Sequence, residues 1–186
     1  MQSFISMLAG FDHHVLELLR GPYFSITDQF LPFLSHLGDM GAVWLILALL
    51  LLLSKSTRKA SLAIFCALIF SLLLNNIGLK NLFERDSPCQ IDGVLIDLIC
   101  PADASFPSGH AASSFASAFA VWFLNDPKLK PLSLLMIALA SAIAYSRIFL
   151  NVHYPSDCLA GLFVGLLCGY WAAHAVKLFK LIHNHS

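Results

Sequence analysis

The stretch FPSGHAASSFASAFAVWFL, residues 106–124, joins a polar loop to an apolar segment that contains no aspartate, glutamate, lysine or arginine before Asp126. A serine, a glycine and a histidine stand where the apolar segment begins. The N-terminus of a helix presents free N–H groups and a partial positive charge, and both favour an anion. The stretch therefore predicts a helix that is apolar enough for a membrane and that begins at an anion site.

The composition is typical of a protein that lies in lipid. Hydrophobic residues make up 58% of the 186 residues and charged residues only 12%, whereas soluble domains carry roughly 25% charged residues. The formal net charge is zero, so the sequence gives no basis for nucleic-acid binding. The five cysteines form no CxxC pair, which argues against a zinc ribbon.

Five stretches are long and apolar enough to cross a bilayer core of about 30 Å. They cover residues 37–54, 60–79, 109–124, 131–150 and 157–179. Each is apolar on every face, and the amphipathic outer helices of a soluble bundle are missing. The sequence therefore predicts an all-α, polytopic bundle of transmembrane helices, with a membrane domain over residues 37–180.

The first 36 residues form a separate N-terminal segment. Residues 3–21, SFISMLAGFDHHVLELLRG, are typical of an amphipathic helix that lies in the membrane interface. Residues 26–36, ITDQFLPFLSH, are short and polar for a span and include Pro32. The sequence leaves open whether residues 22–38 form a short sixth span.

The basic residues predict the orientation. Seven of the eleven fall on one face if the five spans alternate: Lys55, Arg58, Lys59, Lys128, Lys130, Lys177 and Lys180. That face should be cytoplasmic, so we expect the loop over residues 81–107 to lie in a periplasm. The protein is expected in a bacterial inner membrane. Cys89 and Cys100 lie in this loop, where an oxidising compartment allows either a disulfide or two free thiols.

Polar and charged residues gather at the predicted outer ends of the spans. They are Lys80 in the second span, Ser108, Gly109 and His110 in the third, Arg147 in the fourth, and His153 and Asp157 in the fifth. Ionisable residues at such depth are costly and usually functional. Two cations and two helix N-termini on one face predict a phosphate site.

Two histidines suggest a division of roles at this site. His153 and Asp157 are spaced i, i+4 and share one face of a helix. Asp157 can accept a proton from one ring nitrogen and leave the other free to attack phosphorus. His110 is then the candidate acid for the leaving oxygen.

The pattern resembles the type-2 phosphatidic acid phosphatase family, a superfamily shared with vanadium-dependent haloperoxidases. The family signature has three parts: Lys-x6-Arg-Pro, Pro-Ser-Gly-His and Ser-Arg-x5-His-x3-Asp. PSGH at residues 107–110 and SRIFLNVHYPSD at residues 146–157 match the second and third parts at every fixed position. The first part reads KNLFERDSP at residues 80–88, with Ser87 in the place of the arginine.

The resemblance implies a role for each matching residue. His153 forms a phosphohistidine, Asp157 orients it, and His110 protonates the leaving group. The phosphate oxygens are held by Lys80, Ser108, the Gly109 backbone and Arg147. No metal and no cofactor are implied. Because Ser87 lacks a guanidinium group, we expect Arg85 to reach the same oxygens, since residues i and i+2 share a face in extended backbone.

The resemblance also implies a lipid phosphate as the substrate. Undecaprenyl pyrophosphate is the expected lipid, and phosphatidylglycerol phosphate, phosphatidic acid and the lipid A phosphates are alternatives. Transfer of the phosphoryl group to a lipid acceptor is a second functional hypothesis. A third hypothesis is a lipid-phosphate binder or transporter without turnover. The sequence does not indicate the oligomeric state.

Overall fold

The computed structural model describes residues 2–19, 25–92 and 100–183, and the regular secondary structure in these ranges is helical. The α-helices are α1 (Gln2–Leu19), α2 (Ser25–Leu37), α3 (Ala42–Leu52), α4 (Arg58–Ser71), α5 (Lys80–Phe83), α6 (Pro88–Asp92), α7 (Gly109–Phe123), α8 (Lys130–Phe149) and α9 (Pro155–His183). A 3-10 turn, Asp39–Gly41, precedes α3, and a π-helical segment, Leu72–Leu79, joins α4 to α5. The predicted all-α class is confirmed.

Three to four parts of the described chain qualify as candidate membrane spans. Arg58–Ile91, Lys130–Phe149 and Pro155–Phe179 are each long and apolar enough, and Phe30–Leu37 with Asp39–Leu52 forms a fourth if this pair, bent by 50°, counts as one span. Helix α7 has 15 residues, fewer than the about 20 that a straight span needs. Five spans and an interfacial N-terminal helix therefore stay predictions.

Helix α7 is the centre of the bundle and packs against α4, α8 and α9. Its contact with α9 is close because Gly161, Gly165 and Gly169 of α9 face its backbone, and a Cβ at any of these glycines would lie 2.7–2.8 Å from atoms of α7 or of its N-cap residue. Small residues permit such close helix packing in membranes. At the N-terminal ends of the two helices, the Ser108 N–H donates to the Asp157 carbonyl at 3.0 Å.

The loop before α7 is anchored to the bundle. A disulfide joins Cys89 to Cys100, with 5.9 Å between their Cα atoms. Residues 93–99 between them lie outside the described chain. The Ser105 N–H donates to the Arg85 carbonyl at 2.7 Å. This bond holds the residues that lead into α7 against those that follow α5.

The contact between α7 and α9 predicts the effect of adding one methyl group. A Cβ at Gly165 would lie 2.7 Å from the Phe115 Cβ, whereas a Cβ at Gly10 would meet nothing within 4 Å. We expect Gly165→Ala to lower the free energy of unfolding by about 1–3 kcal/mol, because overpacking forces the two backbones apart. Gly10→Ala is the matched control and should not lower it. Thermal unfolding in detergent measures both, and equal melting temperatures would contradict this packing.

Candidate active site

Five of the predicted site residues line one cavity of about 850 Å³. They are Lys80 at the start of α5, Gly109 and His110 at the start of α7, Arg147 near the end of α8, and His153 just before α9. Ser108 and Asp157 are fully buried beside this lining. The structure thus brings the residues of three separate motifs to one place.

Ser108 shapes the mouth of α7. Its backbone is extended (φ −64°, ψ 119°), and its Oγ accepts a hydrogen bond from the Ala111 N–H at 3.4 Å. This arrangement is that of an N-cap residue. The N–H groups of the first helical turn are left without carbonyl partners inside the helix, so the helix begins with donors next to the cavity that Gly109 lines.

A serine that the sequence analysis missed, Ser105, lies between His153 and Asp157. The His153 Nδ1 lies 3.7 Å from the Asp157 Oδ2. The Ser105 Oγ lies 3.2 Å from the same Nδ1 and donates to the same Oδ2 at 2.5 Å. Since the only hydroxyl proton of Ser105 goes to Asp157, its oxygen accepts from Nδ1–H. The lone pair of His153 is then on Nε2.

The surroundings of His153 favour its neutral form. Burial lowers the pKa of this imidazole, and the positive charge of Arg147 lowers it further, while the nearby Asp157 carboxylate raises it. The net result is a pKa below the usual histidine value. A neutral imidazole with its lone pair on Nε2 is a nucleophile.

His110 is held by a carboxylate that the sequence analysis also missed. Its Nε2 donates to the Asp39 Oδ1 at 2.8 Å, and the His36 Nδ1 donates to the Asp39 Oδ2 at 2.8 Å. Asp39 begins a tight turn in which Met40 and Gly41 have positive φ angles of 50° and 70°. Strained backbone of this kind often occurs at functional sites. In the sequence, the motif GDMG at residues 38–41 was the pattern that could have indicated this turn.

The two cations of the cavity are nearly buried and differ in their partners. Arg147 donates to the Ser35 Oγ at 2.5 Å, and its Nε has no partner among the described residues. Lys80 forms an ion pair with Asp103, whose side chain is 60% exposed. Burial raises the pKa of the Asp103 carboxyl, but Lys80 outweighs this and holds it below its usual range. Both cations are thus placed to receive an oxyanion.

Arg85 does not lie where the missing arginine was expected, and it does not line the cavity. Its Nη1 donates to the Asp157 Oδ1 at 2.7 Å, and its Nη2 donates to the Asp12 Oδ2 at 2.6 Å. Two carboxylates therefore occupy the guanidinium group that was expected to reach the phosphate oxygens. Ser87 is buried, does not line the cavity, and its Oγ has no partner among the described residues.

Asp12 supports the site from the N-terminal helix, which is a role that the sequence analysis did not assign. Its side chain is fully buried. Its Oδ1 accepts from the Ser156 N–H at 2.8 Å, and its Oδ2 accepts from the Ser156 hydroxyl at 2.7 Å and from Arg85. Asp12 therefore caps the start of α9 from a distant helix. In the sequence, the only local indication of this role was an aspartate within an otherwise apolar helix.

The comparison with known proteins agrees with this geometry. A family model described as the PAP2 superfamily matches residues 60–180. The chain is 32% identical, over 73% of its length and 73% of the relative's, to the decaprenylphosphoryl-5-phosphoribose phosphatase of Mycobacterium tuberculosis. It is 28% identical, over 84% of its length and 74% of the relative's, to the undecaprenyl-diphosphatase of Sulfolobus acidocaldarius. Asp12 and Asp39 lie outside the residues that the family model matches.

The fold is also found among solved structures. The crystal structure of a PAP2-type phosphatidylglycerolphosphate phosphatase from Bacillus subtilis superimposes with a TM-score of 0.70, covering 94% of this chain and 86% of that one. The sequence identity is 22%, so this likeness is one of fold.

The position of Arg85 predicts different effects for two matched variants. We expect Arg85→Met to lower kcat and thermal stability but to leave inhibition by inorganic phosphate nearly unchanged, because Arg85 binds Asp157 and does not line the cavity. Lys80→Met should instead weaken inhibition by phosphate, since Lys80 lines the cavity. Because breaking a buried ion pair costs about 3–5 kcal/mol, the loss of stability in Arg85→Met must be separated from the loss of activity. Arg85→Lys keeps the positive charge and is the control for this. Equal weakening of phosphate inhibition in both methionine variants would make Arg85 a phosphate ligand.

Proposed function

The chain belongs to the PAP2 superfamily and is a membrane lipid phosphatase, and on that premise we propose that it hydrolyses undecaprenyl pyrophosphate through a phosphohistidine on His153. Two relatives support a polyprenyl substrate, because their names specify a decaprenylphosphoryl and an undecaprenyl compound. Phosphatidylglycerol phosphate, phosphatidic acid and lipid A phosphates are the alternative substrates.

The observation that carries this proposal is the mixed lining of a single cavity. One part of the lining consists of Lys80, His110, Arg147 and His153, and another part is apolar: Leu45, Phe65, Leu68, Ile69 and Leu72. A ligand fits such a cavity when it has a charged head and a hydrocarbon tail. A lipid phosphate has both.

The first half of the reaction transfers the phosphoryl group to the protein. The His153 Nε2 attacks phosphorus, and the bond from phosphorus to the leaving oxygen breaks. His110 enters this step as an imidazolium: Asp39 holds one of its N–H groups and the other gives its proton to the leaving oxygen. Asp157 and Ser105 stabilise the positive charge that develops on His153. Lys80, Arg147 and the first N–H groups of α7 stabilise the charge on the phosphoryl oxygens.

The second half of the reaction returns the protein to its starting state. Water attacks the phosphorus of phosphohistidine, and neutral His110 accepts a proton from that water. The bond from phosphorus to the His153 Nε2 breaks, and inorganic phosphate leaves. A lipid hydroxyl in place of water would make the same chemistry a phosphotransfer. A binder or transporter would need neither His110 nor His153 at these positions.

We further propose the topology that the sequence predicts: five spans, with α7 as the buried central one, in a bacterial inner membrane and with the site facing the periplasm. The disulfide between Cys89 and Cys100 supports this orientation, because disulfides persist in oxidising compartments. The catalytic unit then includes the N-terminal segment as well as residues 37–180, since Asp12 caps α9.

The proposal is tested by phosphate release from the purified protein in detergent with excess chelator. Undecaprenyl pyrophosphate, phosphatidic acid, phosphatidylglycerol phosphate and lipid A are compared, with His153→Ala as the control. We expect release to be fastest from undecaprenyl pyrophosphate and to be absent in the variant. Release that persists in His153→Ala would contradict histidine catalysis. Faster release from another lipid would replace the proposed substrate.

The lowered pKa of His153 predicts the pH dependence. Only neutral His153 attacks, so the rate falls as the pH drops through its pKa in the folded protein. Because that pKa is lowered, the acidic limb of kcat/KM should lie below the usual histidine value of about 6.5. A pH profile of the free enzyme, with thermal stability measured at each pH, checks this. An acidic limb above that value in the folded protein would contradict the arrangement.

A further inference from the structure

The phosphate site has fewer cations than the family signature implies. Among the described residues that line the cavity, the lysines and arginines are Lys80 and Arg147. Ser87 is buried away from the cavity, and both Nη atoms of Arg85 are bound to carboxylates. The oxygen that the signature arginine would bind therefore needs another donor.

The π-helical segment Leu72–Leu79 brings two amides to the mouth of α7. Asn75 is fully buried, and Asn76 lines the cavity. A Cβ at Gly109 would lie 3.3 Å from the Asn76 Oδ1 and 3.8 Å from its Nδ2. Asn76 is thus next to the backbone that is expected to bind phosphate. π-helical turns are rare and frequently mark functional sites.

Hydrogen bonding fixes the direction of both amides. The Asn75 Nδ2 lies 3.3 Å from the Pro107 carbonyl oxygen, which can only accept, so the nitrogen of Asn75 must be on that side. The same Nδ2 lies 3.0 Å from Asn76, and the facing atom of Asn76 must therefore be its oxygen. The NH₂ group of Asn76 remains, and none of the described residues accepts a hydrogen bond from it.

We propose that the Asn76 side chain is a phosphate ligand of this site and takes the place of the missing arginine. Its NH₂ group donates to a non-bridging phosphoryl oxygen beside the Gly109 N–H. Asn75 is the positioning residue, because it holds the Asn76 oxygen and so leaves the NH₂ group as the part of the amide that can donate to a ligand. The inference rests on the proposed phosphatase mechanism, and it adds a neutral donor to the two cations.

Two Asn76 variants and one matched control test the inference. Asn76→Ala removes the donor, and Asn76→Asp replaces it with a carboxylate oxygen of the same shape, which repels phosphate. Asn81→Ala is the control, since the Asn81 side chain donates to the Ile77 carbonyl and does not line the cavity. Asn76 is exposed to the cavity rather than buried, so its variants should fold. Melting temperature verifies folding.

Turnover and anion binding are both measured on the full chain in detergent. We expect Asn76→Ala to lower kcat/KM about 100-fold, as the loss of one oxyanion donor does, and to weaken binding of orthovanadate about 10-fold or more, as loss of a hydrogen bond to a charged group does. Asn76→Asp should weaken binding further. Asn81→Ala should match the wild-type protein in both measurements.

The outcomes separate this inference from the proposed function. If the wild-type protein releases phosphate and the Asn76 variants match it in rate and in orthovanadate affinity, the inference is overturned and the mechanism stands. If the wild-type protein releases no phosphate from any lipid, the proposed function fails. Orthovanadate binding by calorimetry still decides the role of Asn76 in that case, since binding needs no turnover: weaker binding by the variants supports it, and equal binding overturns it.

Discussion

The close contact of α7 with α9 is the constraint on which the site depends. A Cβ at Gly161 would lie 2.7 Å from the Ser108 carbonyl oxygen, so the two helices meet with backbone almost against backbone. The Ser108 N–H then donates to the Asp157 carbonyl. His110 lies in the first turn of one helix, and His153 lies just before the other. The same contact therefore sets the separation of the proposed acid and nucleophile, and a larger residue in α9 would change it.

Asp157 can be buried only because cationic and polar groups surround it. An ionised carboxylate away from water is unfavourable without partners. Arg85 binds Asp157 on one side, and Ser105 and His153 contact it on the other. Arg85 is in turn shared with Asp12, whose second oxygen caps the start of α9. This network explains why Arg85 contacts the residue beside the proposed nucleophile and does not line the cavity.

Elements outside residues 60–180 complete the site. Asp12 comes from α1, and Asp39 comes from the turn between α2 and α3, so both precede the residues that the family model matches. Asp39 contacts the proposed acid, whereas Asp12 is joined through Arg85 to Asp157, which lies next to the proposed nucleophile. The N-terminal part of the chain is therefore connected both to the proposed acid and to the residues around the proposed nucleophile.

The amino-acid sequence was enough to predict the all-α class, because hydropathy is a local property. It also predicted that Lys80, His110, Arg147 and His153 lie together, because alternating spans bring their ends to one face of the membrane. The groups that support these residues became visible only in the folded chain. Arg85 reaches Asp157 across 72 positions of sequence, and Asp12 reaches Ser156 across 144. Contacts at such separation leave no periodic pattern. Arg85 binds Asp157 and Asp12 and does not line the cavity, because the direction of a side chain follows the partners that the fold supplies.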